Sequence, residues 1–351
     1  MSTQVNPAMI IVARESRGMV QKELARALRL TQGHVSKIEA GFISVAGDQL
    51  AEIARILGYP ITLFYRTDAV YGYGSSCLYH RKRQALTVSD LRRILAELNL
   101  LRMGIGSLLR SVELRPGSVF PRMDIGDYHD SPEYIAQLVR GAWALPTGPI
   151  QNLTGAIEGA GGIVVRCSFG TDKLDAISQW IPGMPPLFFV NAEIPTDRFR
   201  FSLAHELGHV IMHQIPTVDL EREADRFASE FLMPARQIGP HLAPLSVPKL
   251  AQLKPYWKVA MSAMARRAND LGKISPRHYK TLLAQMGSAR IRINEPVQLP
   301  PEEPELLFKI IGAHRSEHGY SISEISRLVD FHESEFRQRY LQETQRLRLI
   351  G

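Results

Sequence analysis

The feature that most constrains this chain is an HEXXH motif, His205-Glu206-Leu207-Gly208-His209, which lies within an apolar run. On an α-helix, residues four positions apart lie on one face, one turn from each other. His205 and His209 can therefore present imidazole nitrogens to one metal ion, while Glu206 lies beside that face and can reach a water held there. Zinc peptidases use this arrangement of two histidine ligands and a glutamate base. The motif predicts a buried helix with a zinc site.

The next predicted helix supplies the third ligand. Glu221 and Asp225 lie four positions apart, so one carboxylate can complete a His2Glu set while the other accepts the distal N–H of a ligating imidazole. We take Glu221 as the ligand and Asp225 as its support, because Glu223 points about 200° away round the helix. The alternative for Glu221 is a solvated acidic helix face. His213 lies two turns from His205, too far to share the ion, and is expected beside the site or at the surface.

Two linked motifs, FSLAHELGHVIMH and then ExEADxFASEFLMP, carry a family resemblance. The segment resembles the ImmA/IrrE family of metallopeptidases over at least residues 163–234. The resemblance implies that His205, His209 and Glu221 bind zinc and that Glu206 is the catalytic base. It also implies a protein substrate, a repressor-type regulator whose cleavage relieves repression.

Near the N-terminus, two short helices joined by a tight turn, residues 20–28 and 32–39, predict a helix-turn-helix. Gln21, the Glu23-Leu24-Ala25 run, the VSKIE segment and Gly41 resemble the Xre-type helix-turn-helix family of phage-repressor-like regulators. The resemblance implies double-stranded DNA as a partner. Xre-type domains usually act as dimers, so a homodimer stays open, although no zipper-like heptad run is present.

The residues that the resemblance places near DNA form one set: Gln21, Gln32, Gly33, His34, Ser36 and Lys37. Gln21 is expected to contact a backbone phosphate, and the second helix is expected to face base edges. Gly33 has no side chain with which to read a base, whereas Lys37 can pair with guanine or with phosphate. The alternative is a helical protein-interaction domain that kept this fold and lost DNA binding.

The length of the chain suits two or three domains, and its charge bears on its partners. The chain has 351 residues and a net charge of +7, with a pI of about 9.4, which permits nucleic-acid contact without establishing it. We find no signal-peptide pattern, no apolar run of ~18 residues and no CxxC pair. The sequence therefore predicts a cytoplasmic protein with no membrane partner.

The predicted fold class is α+β and mostly helical, with a zincin-like domain that holds a small β-sheet. Four parts are expected: a helix-turn-helix domain at 1–68, a linker and connector helix at 69–115, a peptidase domain at 116–240 and a helical region at 241–351. Strands are predicted at 163–166, 176–181 and 185–191. The last region could be a second nucleic-acid reader, a dimerisation module or a cover over the peptidase cleft.

Three functions follow from these parts. The first is a DNA-binding regulator with a zinc endopeptidase that acts in a stress or mobile-element response. The second is a transcription factor whose peptidase-like domain senses a metal or small ligand with little proteolysis. The third is an antitoxin-like repressor of a stress or phage-defence operon.

Overall fold

The computed structural model divides the chain into two compact units. The structure describes residues 4–72, 86–215, 217–291 and 295–341. Among these, the first unit holds residues 4–72, 86–114 and 306–341, and the second unit holds those between 115 and 305. The predicted region 241–351 is thus shared between both units. Most of a Gly- and Ser-rich stretch within the predicted linker falls outside the described residues.

The described part of the first unit is helical. Its α-helices are α1 (Pro7–Ser16), α2 (Gln21–Ala27), α3 (Gln32–Glu39), α4 (Gly47–Leu57) and α5 (Val88–Leu109), followed late in the chain by α14 (Leu306–Ser316), α15 (Ile322–Leu328) and α16 (Glu333–Tyr340). The connector helix α5 packs against α1, α14 and α15. It begins where Thr87 Oγ1 accepts a hydrogen bond from the Asp90 amide at 3.0 Å.

The second unit combines helices with one small sheet. Its elements are α6 (Pro132–Ala142), α7 (Leu153–Gly159), β1 (Ile163–Cys167), β2 (Ala176–Gln179), β3 (Leu187–Asn191), α8 (Thr196–Met212), α9 (Leu220–Leu232), α10 (Ala235–Ile238), α11 (Val247–Trp257), α12 (Met261–Asp270) and α13 (Pro276–Ser288). The strand order in the described sheet is β1-β3-β2, with β1 parallel and β2 antiparallel to β3. The predicted mostly helical α+β class is confirmed.

The HEXXH helix α8 is the centre of the second unit. It packs against α9 and against β2 and β3, and its apolar residues Leu203, Ala204 and Leu207 are fully buried. The helix has no side-chain cap, since Pro195 precedes it. Asp197 in the first turn instead forms an ion pair with Lys254 at 2.6 Å. Burial of this helix between a sheet and a second helix holds its two histidines in fixed positions.

Gly208 lets α9 approach α8 closely. A Cβ at Gly208 would lie 3.1 Å from Cδ1 of Phe227 in α9. The glycine in the motif therefore makes room for the aromatic side chain of Phe227. No helix among the described residues is long and apolar enough to cross a bilayer.

Candidate metal centre

Three side chains from two helices converge in the second unit. The Nε2 atoms of His205 and His209 in α8 lie 2.9 Å apart. In α9, Glu221 places Oε2 3.5 Å from His205 Nε2 and Oε1 3.5 Å from His209 Nε2. The structure thus brings together the three ligands expected from the sequence. Within the described ranges, this is the group of His, Cys, Asp and Glu side chains arranged to hold a metal ion.

The first histidine is oriented by a carboxylate. His205 Nδ1 lies 2.9 Å from Oδ1 of Asp225, one turn beyond Glu221 in α9. An ionised carboxylate accepts only, so the hydrogen-bond pattern assigns a proton to Nδ1 of His205. In the neutral ring, the lone pair is then on Nε2 and points toward His209 and Glu221.

A chain of hydrogen bonds from His209 through His213 to Glu223 orients the second histidine. The sequence did not reveal this chain. Glu223 accepts from His213 Nε2 at 2.8 Å and from the Thr217 hydroxyl at 2.6 Å. In neutral His213, Nδ1 is then an acceptor, and it lies 2.8 Å from His209 Nδ1. The proton of that contact belongs to His209. The lone pair of neutral His209 is therefore also on Nε2, at the centre of the group.

The donor set suits a divalent cation. Two imidazole lone pairs and one carboxylate repel each other unless positive charge lies between them. Zinc ligands lie ~2 Å from the ion in a tetrahedron, which separates ligand atoms by about 3.3 Å. The separations of 2.9 and 3.5 Å fit that arrangement. The three side chains are therefore arranged so that they could hold one divalent metal ion.

The two candidate ligand histidines differ in pKa. Burial alone would lower the pKa of His205, but hydrogen bonds to Asp225 and Glu221 and the charge of Glu206 raise that pKa to about 10. Burial lowers the pKa of His209 to about 4, against the opposing effect of its hydrogen bond to Glu221. A metal ion binds the neutral form of both imidazoles, so the raised pKa of His205 opposes metal binding and the lowered pKa of His209 favours it.

Glu206 lies beside the ligands and is anchored to the sheet. Its side chain is buried, and the Ser178 hydroxyl donates to Glu206 Oε2 at 2.6 Å. Ser178 belongs to β2, and the sequence analysis did not single it out. Two adjacent polar residues, Ser178 and Gln179, in a predicted strand that is apolar at its other positions were the signal that could have found it. The serine holds the carboxylate in one orientation next to the metal ligands.

Most of the residues expected to lie near DNA are exposed. In α3, Gln32, Gly33, Ser36 and Lys37 are exposed and His34 is half-buried. The buried positions of this helix, Val35, Ile38 and Glu39, face the core of the unit. One side of α3 is therefore polar and open to a ligand.

Gln21 is tied to the base of α3. Its amide Nε2 donates to Glu39 Oε2 at 2.8 Å, and Arg14 binds the same carboxylate through two bonds of 2.6 and 3.1 Å. This buried network links α1, α2 and α3. It fixes the half-buried Gln21 at the start of α2.

A helix-turn-helix unit together with a helix-and-sheet unit carrying His-His-Glu defines a DNA-binding protein with a metallopeptidase-like domain. Comparison with protein families gives the same two parts. Residues 158–269 match the IrrE N-terminal-like domain of the Peptidase_M78 family, and residues 10–64 match a helix-turn-helix family. The chain therefore carries an IrrE N-terminal-like domain and an N-terminal Xre-type domain. None of the curated proteins compared with the chain is similar enough to count as a relative.

Proposed function

We propose that this protein is a transcriptional regulator that binds DNA through its first unit and cleaves a repressor-type protein with a zinc endopeptidase in its second unit. The observation that carries the proposal is the convergence of His205, His209 and Glu221 beside a buried glutamate. The helix-turn-helix match supports the DNA-binding half. A stress or mobile-element response is the setting in which relief of repression is useful.

In this proposal, His205, His209 and Glu221 hold the metal and Glu206 moves the proton. A zinc ion there would supply Lewis acidity, which polarises the scissile carbonyl and acidifies a water. Glu206 accepts the proton of the attacking water on its carboxylate and later delivers it to the nitrogen of the leaving amine. Ser178 keeps that carboxylate oriented through its hydrogen bond to Oε2.

The test is a comparison of new protein N-termini in cells expressing the wild type or Glu206→Gln, before and after DNA-damaging stress. Glutamine keeps the size of the side chain but cannot take the proton, so we expect cleavage of a repressor-like protein with the wild type only. A matched control is Glu303→Gln, which alters a half-exposed carboxylate that pairs with Arg166. This control should cleave like the wild type.

The result also separates the alternatives. If Glu206→Gln cleaves as well as the wild type, Glu206 is not the base. If the wild type binds zinc and produces no new N-terminus, the endopeptidase proposal fails. DNA affinity that then changes when the metal is removed by a chelator would instead support a metal-sensing transcription factor.

A further inference from the structure

The last three described helices repeat the first three. Residues 321–340 align with residues 20–39 without a gap. In both copies a seven-residue helix is followed by an eight-residue helix: α2 and α3 in the first, α15 and α16 in the second. In each copy a longer helix precedes them, α1 or α14, and joins them through a glycine with positive φ, Gly18 at 66° and Gly319 at 70°.

The turn between the two short helices is the same in both copies. Arg29 and Asp330 occupy equivalent positions, and both have a φ of 58°. Left-handed backbone is uncommon for residues other than glycine, so its recurrence at one aligned position is informative. The next residue closes the turn in each copy, with Leu30 N donating to Ala25 O at 2.9 Å and Phe331 N donating to Ser326 O at 3.0 Å.

The start of the motif also recurs. Glu23 accepts from the Val20 amide, and Glu324 accepts from the Ser321 amide, each at 2.8 Å. Buried positions coincide as well, in the aligned pairs Leu24 and Ile325, Ala25 and Ser326, and Val35 and Phe336. The aligned segments therefore share cap, turn and core, which together define a helix-turn-helix.

The outer side of α16 has side chains that can read DNA. Ser334 and Gln338 are exposed and Arg337 is half-buried, at the positions that Gly33, Lys37 and Ser36 occupy in α3. Arginine pairs with guanine, glutamine pairs with adenine, and serine serves either base. The second copy thus has a side chain where the first has only Gly33.

Two acidic residues of the second copy, Asp330 and Glu335, are directed into the unit and are neutralised there by arginines. Asp330 pairs with Arg66 at 2.7 Å, and Glu335 pairs with Arg17 at 2.8 Å. These two ion pairs attach the second copy to Arg17 and Arg66, so the two carboxylates do not oppose phosphate binding on the outer side of α16. Glu324 is exposed in the cap of α15, as Glu23 is in the cap of α2.

Besides the exposed cap residue Glu324, the outer side has Glu333, which is paired with an arginine. Glu333 accepts from Arg337 Nη2 at 2.7 Å. Arg327, near the end of α15, is exposed. This surface has the mixed polar and basic character of a DNA-reading helix and lacks an apolar patch.

We propose that residues 321–340 form a second helix-turn-helix, which binds double-stranded DNA through α16. One chain would then read two separate stretches of sequence, one with α3 and one with α16. The inference rests on DNA binding by the first motif and extends it to a site in the C-terminal region.

The experiment selects binding sites from a random 40-bp duplex pool with the full chain and compares variants. The wild type should select two sequence blocks. Lys37→Ala should lose preference in one block and Gln338→Glu in the other, because added negative charge on α16 repels phosphate. The matched control is Gln285→Glu, the same change on an exposed position of α13. On a selected duplex, Gln338→Glu should bind roughly tenfold more weakly than this control.

The outcomes separate the two motifs. If Lys37→Ala weakens binding and Gln338→Glu behaves like the control, α16 does not contact DNA and the inference is wrong. If the wild type selects no sequence and binds no duplex, DNA binding by the whole protein fails, and this inference fails with it. Circular dichroism spectra of all variants should match the wild type, since the altered side chains are exposed.

Discussion

At the scale of residues, the two candidate histidine ligands are oriented by neighbours that lie outside the HEXXH motif. Asp225 orients His205 directly, whereas His209 depends on His213 and Glu223. Spacing alone identifies residues that share a helix face, and it placed Glu221 correctly beside the histidines. It could not show that Glu223 reaches His213, because that contact depends on how α9 packs against α8.

Substitution by alanine should have opposite effects on stability at two helix glycines, Gly208 and Gly33. In Gly208→Ala, the new Cβ would press on Phe227, which is fully buried and stacked on Phe231 with ring centroids 5.4 Å apart. The ring cannot retreat, so overpacking should outweigh the gain in helix propensity and lower stability by about 1 kcal/mol.

Gly33→Ala is the matched comparison. Nothing lies within 4 Å of the position that a Cβ would take at Gly33, so the alanine should raise stability by up to about 1 kcal/mol. Thermal unfolding of the two variants should therefore shift the melting temperature in opposite directions. A Gly208→Ala protein as stable as Gly33→Ala would contradict the close packing of α8 on α9.

At the scale of elements, an ion pair attaches α16 to Arg17 at the end of α1. Arg17 donates two hydrogen bonds of 2.8 Å to the carboxylate of Glu335. Burial alone would raise the pKa of Glu335, but the hydrogen bond from Arg17 and the charges of Arg339 and Arg17 lower it below its usual value. The ionised carboxylate is therefore favoured in the folded state.

This ion pair predicts an acid-sensitive first unit. A carboxyl whose pKa is lowered on folding stabilises the protein above its unfolded pKa, near 4.5, and loses that contribution as the pH falls through the lower folded value. Glu335→Gln should therefore be less stable than the wild type at neutral pH, and the difference should shrink below about pH 4. Urea unfolding at several pH values measures this. A difference that stays constant with pH would contradict the role of the carboxylate.

Patterns in the sequence predict most elements well and their ends less well. The three strands and the HEXXH helix were expected, because apolar runs and turn residues mark them. Near the start of α5, Thr87 and Ser89 are both residues that can cap a helix, and only the local backbone decides that Thr87 does so. A proline usually ends a helix, yet Pro255 lies inside α11, which continues to Trp257.

At the scale of the whole molecule, the sequence indicated two functional parts. It did not indicate that C-terminal residues belong to the same unit as the N-terminal helices. Residues 306–341 return to the unit that contains the N-terminal helices. The repeat of α2-α3 in α15-α16 has few identical residues, so it is visible in turn geometry and burial more than in letters. Spacing within two neighbouring helices was enough to expect that His205, His209 and Glu221 converge, whereas the likeness of α15-α16 to α2-α3 lies in backbone geometry that spacing does not reveal.

The convergence of His205, His209 and Glu221 predicts a metal centre, which a measurement of metal content tests most directly. We would measure zinc by mass spectrometry in the dialysed wild type, in Glu221→Gln and in the matched Glu223→Gln. We expect about one zinc ion per wild-type chain. Glu221→Gln should lose most of the zinc, because one of the three candidate ligands is removed. Glu223→Gln should keep the ion with roughly 10- to 100-fold weaker affinity. A wild type without zinc, or a Glu221→Gln protein that binds zinc as tightly as the wild type, would contradict it.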